Sequence, residues 1–377
     1  MLRTLSTLPT PSERFPRTLK VLEEGAGRSL HRGVQVSISL NGELLADFGW
    51  GEARPGAPLT PQTRMLWLSS GKPLTVVALA RLQEQGELRW EAPLTELLPD
   101  LPAERWEGVT VTHLLTHTSG MELIDSGWPA NHWDDILKRI ARGALPESAN
   151  PGTVAAYQPS LSWFLLGEII ARRTGEPFPA ALRKLVLEPL GMDQTFNGIA
   201  PEQLDAAQEE LVVVEQRSGG RLVPIERHLP PAINSPSPGG NTWGPVSDLR
   251  RFYEMLLARG RTETGDQLLR EETVQLLTSR HRTGQLDQTF QHVIDYGLGL
   301  IIDSSQYGAE TVPYGFGLHC SPQTFGHGGA QSSIGFADPA CGLAVAWAAS
   351  GMAGEGWHQK RNRALNTAIY EDLGLAR

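Results

Sequence analysis

Cysteine is nearly absent: the 377-residue chain has two, Cys320 and Cys341. Two thiols exclude a disulfide framework, leaving either one bridge or a buried unbridged pair. Long hydrophobic runs are also missing, and none approaches the ~18 apolar residues of a membrane helix. The opening segment, Met1-Leu-Arg-Thr-Leu-Ser-Thr-Leu-Pro-Thr-Pro11, lacks the apolar stretch of a signal peptide. The expectation is a cytoplasmic protein with no membrane partner, or a periplasmic or secreted one if a leader was cropped. Positive charge is scarce as well. Lys and Arg number 33 against 42 Asp and Glu, a net charge of −9. The densest basic clusters, Arg250–Arg251 and Lys360–Arg363, read as solvated helix faces, so nucleic acid is not an expected partner.

What the chain has in excess is punctuation. Its 40 glycines and 27 prolines make up about 18% of residues against roughly 12% on average. No low-complexity period accompanies them, so they mark tight turns and long structured loops of the kind that carry function.

Residues 1–16, with three prolines, read as an arm, followed by a short helix over 17–25. Val34, Val36, Ile38 and Leu40 then alternate with polar residues up to Asn41-Gly42, after which a second run covers 43–49; alternation around Asn-Gly signals a β-hairpin. From Lys72 to Gly86 the period is helical. Helical patches recur at 112–117, 132–143, 161–174 and 180–190, with strand-like alternation only at 211–214 and 221–225. Beyond the Pro/Gly-rich loop 234–244, a helix is expected over 248–259, N-capped by Ser247. Strands follow at 296–302, 332–338 and 342–349, and a last helix at 359–373. The layout is an α/β domain split between residues 17–80 and 245–377, interrupted by a mostly helical insert, 81–244. A cleft between the two parts is where small-molecule sites form.

At the entry to the Lys72 helix stands Ser69-Ser70-Gly71-Lys72. On a helix, positions i and i+3 share a face, so the Lys72 amine can reach the Ser69 hydroxyl. A desolvated lysine can act as the base for a serine nucleophile, and nearby N-terminal amides favour a developing oxyanion. Ser-x-x-Lys alone also describes a serine N-cap followed by a surface lysine. Ser70 is the poorer partner at a spacing of two.

Further segments decide between these readings. Leu66–Gly86, Val109-Thr-Val-Thr-His113-Leu-Leu-Thr-His117-Thr-Ser-Gly120, Pro151-Gly152 through Tyr157 to Leu165-Leu-Gly167, and Glu188-Pro-Leu-Gly-Met192 occur in this order. Together they resemble the serine β-lactamase and penicillin-binding-protein-like superfamily, in its class C-like branch with carboxylesterases, D,D-peptidases and acyltransferases. The resemblance implies an antiparallel sheet flanked by helices beside a mostly helical domain, with the catalytic cleft between them. It assigns Ser69 as the acylated nucleophile, Lys72 as its activator and Tyr157 as a partner in proton transfer, its phenol lowered by the adjacent ammonium.

Two departures bear on substrate. The family's Tyr-x-Asn is Tyr157-Gln158-Pro159 here, and its Lys-Thr-Gly corresponds to His327-Gly328-Gly329, placed before a strand. A histidine is largely neutral at pH 7 and grips a β-lactam carboxylate less firmly than lysine. The resemblance puts the oxyanion hole at the amides of Ser69 and Ala330 and makes Trp243 and Trp128 candidates for acyl-group contact. His113 and His117 lack the glutamate of His-Glu-x-x-His and a third ligand, so no metal and no cofactor are expected. Ser247-Asp248-Leu249 is a decoy for Ser-Asp-Asn. The expected activity is that of a serine hydrolase on small esters. Rivals are a D-amino-acid peptidase or amidase, a β-lactamase, an acyltransferase and a catalytically silent binding protein. Oligomeric state is not legible.

Overall fold

The computed structural model describes residues 10–376. Residues 16–27 form helix α1, and strands β1 (33–40), β2 (43–54) and β3 (57–58) follow. The turn between β1 and β2 places Asn41 at φ 53° and Gly42 at φ 78°. Two successive positive φ values suit the Asn-Gly pair and match the twist of the flanking strands. Helices α2 (72–84), α3 (161–174) and α4 (246–257) come next. Strands β4 (295–296), β5 (301–302), β6 (325–329), β7 (333–338) and β8 (343–349) lead to the last helix, α5 (355–372). The eight strands make one antiparallel sheet in the order β4-β5-β6-β7-β8-β1-β2-β3.

Alternation divides the sheet into two chemically different faces. Val34, Val36 and Ile38 of β1 and Leu343, Val345 and Trp347 of β8 pack with Leu22 of α1 and Leu365 and Ile369 of α5. The opposite face carries Gln35, Ser37 and Ser39 beside Ala344, Ala346 and Ala348, and lies under α4. Polar residues on one face of an antiparallel strand ordinarily meet water; here all three are buried. Gln35 is satisfied at both ends, donating to the carbonyls of Thr60 and Thr63 and accepting from the Val246 amide at 2.6 Å. Ser37 accepts from Arg250 Nε at 3.0 Å. Small residues let the helix approach closely: a Cβ on Gly335 would lie 2.4 Å from the Tyr253 ring.

That seat moves the start of α4. The helix begins at Val246 with Pro245 in the capping position, so Ser247 lies within its first turn instead of capping it. Other expectations shift too. The 296–302 strand is two short strands around a turn, and 211–214 holds only one isolated bridge. The glycine-rich segment 325–329, expected to precede a strand, is itself β6. Of the expected arm, residues 1–9 lie outside the described residues and 11–14 form a helical turn.

The large sheet draws its strands from 33–58 and 295–349, and the intervening chain is mostly helical. The expected boundary at 80–81 falls inside α2, a buried rod whose apolar residues join one core with α3 and α4. A small sheet joins Met65–Leu66, Thr242–Gly244 and Phe196–Asn197, bringing the 234–244 loop against the chain entering α2. Cys320 and Cys341 form no disulfide. Among the described residues no helix is long and apolar enough to cross a membrane.

Candidate active site

The approach to α2 is pinned on the small sheet. Trp67 is fully buried, its indole donating to the Gly244 carbonyl at 2.8 Å and its amide to Thr242 at 2.9 Å. Leu68 then adopts φ 50°, a left-handed value costly for a branched side chain, as it opens a 3-10 turn over 68–71 that runs into α2. The two serines are thereby sorted. Ser70 is buried against Ser333 Oγ at 3.0 Å, whereas Ser69 keeps partial access to solvent.

Lys72 is fully buried, with Nζ 2.8 Å from Ser69 Oγ, 2.8 Å from the Pro159 carbonyl and in short contact with the Gly239 carbonyl. Burial pushes its amine well below the usual lysine range. A neutral amine has two hydrogens and one lone pair. Carbonyl oxygens only accept, so the two hydrogens go to Pro159 and Gly239 and the lone pair is left facing the Ser69 hydroxyl. Gly239 must be glycine, because a Cβ there would lie 2.9 Å from the Pro159 oxygen and from Trp163. Neither carbonyl has a side-chain signature, and sequence reasoning missed both; the Gly239-Gly240 pair was their one trace.

Tyr157 Oη donates to Ser69 Oγ at 2.9 Å. The phenol is held through its backbone: Tyr157 N donates to Asp287 Oδ1 at 3.0 Å, and Thr289 Oγ1 donates to its carbonyl. Asp287 is fully buried 3.1 Å from Arg282, which in turn donates to the Thr116 carbonyl. The expected lowering of the phenol by an ammonium is reversed. Burial raises the Tyr157 pKa, and Asp287 and Glu355 push it further, against the hydrogen bond to Ser69. Burial thus favours the protonated form of Tyr157 and the neutral form of Lys72.

His327 lies on β6, buried, with its ring centroid 6.0 Å from that of Tyr157. Burial lowers its pKa to about 3, and any positive charge on Lys72 acts in the same direction. Its Nδ1 lies 2.8 Å from the Gly328 carbonyl, so the neutral ring carries the proton there and presents a bare acceptor at Nε2. The glycines after it permit close packing. A Cβ on Gly328 would lie 2.1 Å from the Tyr314 ring, and one on Gly329 would lie 2.2 Å from the Trp67 carbonyl. The end of β6, followed by Ala330, therefore abuts the Ser69 turn.

Other candidates separate here. Trp243 has no exposed surface; it pairs with Leu66 in the small sheet and donates to Asn241 Oδ1 at 3.1 Å, so it is a core residue and not an acyl-group contact. Trp128 is half-buried, its indole donating to Ser235 and its ring under Arg227. His113 and His117 turn to different partners, each accepting a backbone N–H at Nδ1, from Thr110 and Gln158 respectively. Asp248 is taken up by Thr195 and Arg251.

A partly exposed serine at a helix entrance lies between a desolvated lysine and a protonated tyrosine, beside the end of β6. The chain belongs to the Beta-lactamase family, whose model matches residues 20–368. It is 30% identical to Esterase EstB of Burkholderia gladioli over 263 residues, 60% of this chain and 66% of that one. It is 28% identical to penicillin-binding protein 4* of Bacillus subtilis over 199 residues, 50% of this chain and 43% of that one. The chain thus spans about two thirds or less of the length of these curated relatives. A penicillin-binding protein homologue from Caulobacter crescentus superimposes with a TM-score of 0.77 at 22% identity, covering 96% of this chain and 98% of that one. A family VIII carboxylesterase does so at 0.76 and 20%, covering 97% and 99%. These two likenesses are of fold.

Proposed function

We propose that the protein is a serine hydrolase that forms an acyl-enzyme on Ser69 and acts on small carboxylic esters. The observation that carries this reading is the convergence of Lys72 Nζ and Tyr157 Oη on Ser69 Oγ, at 2.8 and 2.9 Å. Ser69 gives its proton to the Lys72 lone pair as Oγ attacks the ester carbonyl. The resulting ammonium has a carbonyl partner for two of its three hydrogens, and the third lies toward the reacting oxygen. Tyr157 steadies Oγ before attack and relays a proton to the departing alkoxide, taking one back from Lys72. Water then repeats the cycle on the acyl-enzyme.

The developing oxyanion falls to the amides of Ser69 and Ala330. The Ser69 amide lies in the first turn of its helix, where an N–H has no intrahelical acceptor. The ester preference is supported by His327, neutral and buried where a permanent cation would hold a β-lactam carboxylate, and by the resemblance to an esterase.

The test is hydrolysis of p-nitrophenyl esters of two to eight carbons by wild type and Ser69→Ala, beside a chromogenic cephalosporin. The expected result is ester turnover by wild type, lost by at least about 10³-fold in the variant, with slow or no cephalosporin cleavage. Full esterase activity in Ser69→Ala would remove the assignment, and a phosphonate adduct on Ser69 in mass spectrometry would support it.

A further inference from the structure

One carboxylate near the site has no part in the chemistry above. Glu355 opens α5 and is exposed, and it makes no ion pair among the described residues. It is nevertheless fixed. Tyr314 Oη donates to its two oxygens at 3.2 and 3.1 Å, and Gln359 Nε2 donates at 3.3 Å while its own Oε1 accepts the Tyr314 amide at 2.8 Å. Tyr314 is the ring seated on Gly328, and it packs against Phe290, which packs against Tyr157 at 4.6 Å between centroids. The residue before Glu355 is also tied to the site: Gly354 N donates to Gln331 Oε1 at 2.7 Å, one residue beyond Ala330.

The carboxylate is therefore built onto the His327 end of the site, where its field reaches Tyr157 and raises that phenol. Nearby cations are occupied. Arg361 is buried and donates to the carbonyls of Leu30, Gln331 and Gly351. Arg217 and Lys360 lie over the ring of Trp357. His327 and His358 are kept neutral by burial.

We propose that Glu355, held by Tyr314 and Gln359, is a specificity-determining residue that makes this site favour esters bearing a cationic group and disfavour those bearing a carboxylate. This inference rests on the proposed esterase reading and narrows its substrate class. A solvent-open charge contributes modestly on each side, attraction for one substrate and repulsion for the other, so the combined preference is about tenfold.

The experiment uses three phenyl acetates that differ in the para substituent: trimethylammoniomethyl, carboxamide and carboxylate. The expected order of kcat/KM is cationic, neutral, anionic, with a cation-to-anion ratio near tenfold at low salt. The ratio should shrink severalfold at 0.5 M salt, as screening requires, and fall to within about twofold of unity in Glu355→Gln. The salt series on wild type reads the same charge without any substitution. Turnover of all three esters with a ratio near unity, or a ratio unchanged in Glu355→Gln and by salt, overturns the inference and leaves the esterase reading standing. If no ester turns over, the esterase reading fails. Phosphonates of the same three charges then read the preference as rates of Ser69 modification, and equal rates or no adduct overturn the inference.

Discussion

At the scale of single residues, the protonation states of Lys72 and Tyr157 are set by burial more than by each other. An ammonium beside a phenol would have lowered the phenol, but a fully buried amine with two carbonyl acceptors and no carboxylate is the poorer place for a charge. On the proposed mechanism the base and the proton donor are thus sorted before substrate arrives. Lys72→Met is expected to cut kcat/KM for p-nitrophenyl acetate by about 10²–10⁴, the usual worth of a general base. Because the proposed mechanism runs through deprotonated Lys72, whose amine burial lowers, the wild-type rate should rise with pH through a value below the ordinary lysine range, and His327, neutral above about pH 4, should add no limb near 6.5. A pH–rate series on wild type and His327→Asn would show this, and a limb near 6.5 that is present in wild type and lost in the variant would argue against it. Ser69, Lys72 and Tyr157 were legible because each is a side chain in a recognisable phrase. The Pro159 and Gly239 carbonyls were not, since any residue carries a carbonyl and only folding decides where it points.

At the scale of elements, the site is assembled from segments that hold their reactive groups indirectly. The Tyr157 segment is the example: no helix or strand contains it, and Asp287 supplies its order by accepting amides from Tyr157, Thr289 and Phe290 with one oxygen. Removing the carboxylate in Asp287→Ala leaves Arg282 buried without its partner, and breaking such a pair costs about 3–5 kcal/mol. Urea unfolding should show a loss of that size, with esterase activity falling in the fraction that stays folded as Tyr157 loses its anchor; an unchanged midpoint would show the pair to be dispensable. Elements with strong periods could be read from the sequence: α3 over 161–174 to its ends, and the hairpin at Asn41-Gly42 in place, though its second strand runs on past the expected 49 to Arg54. Strand β6 could not. Phe-Gly-His-Gly-Gly has no alternation, and its extended form is imposed by β5 and β7 on either side and by Tyr314 filling the space above Gly328.

At the scale of the whole molecule, several imidazoles are buried neutral. His31, between the Leu22 carbonyl and Arg361, and His327 at the site both have pKa values lowered to about 3, by burial first. Their unfolded value is near 6.5, so between about pH 3 and 6.5 the unfolded chain binds more protons and stability falls as the pH drops. Each group contributes a slope of up to about 1.4 kcal/mol per pH unit in that window. Urea midpoints measured from pH 7 to pH 4.5 should decline steadily, and His31→Gln should flatten part of the decline; a profile level down to pH 4.5 would contradict the burial of neutral rings. What sequence could not supply at this scale is the second buried face of the sheet, because Gln35, Ser37 and Ser39 spell a solvated surface until α4 covers them.

The pairing of β1 with β8 joins Val34 to Ala349, and Asp372 accepts the amides of Arg17 and Thr18 at the start of α1. During synthesis, the first hairpin therefore leaves the ribosome with one edge of β1 open, one face bare and the other with only α1 available to cover it. The partner strand of β1, 343–349, is made only about 300 residues later. Such long-range closure is slow, and until it happens the face of Val34, Val36 and Ile38 lacks the cover of β8 and α5.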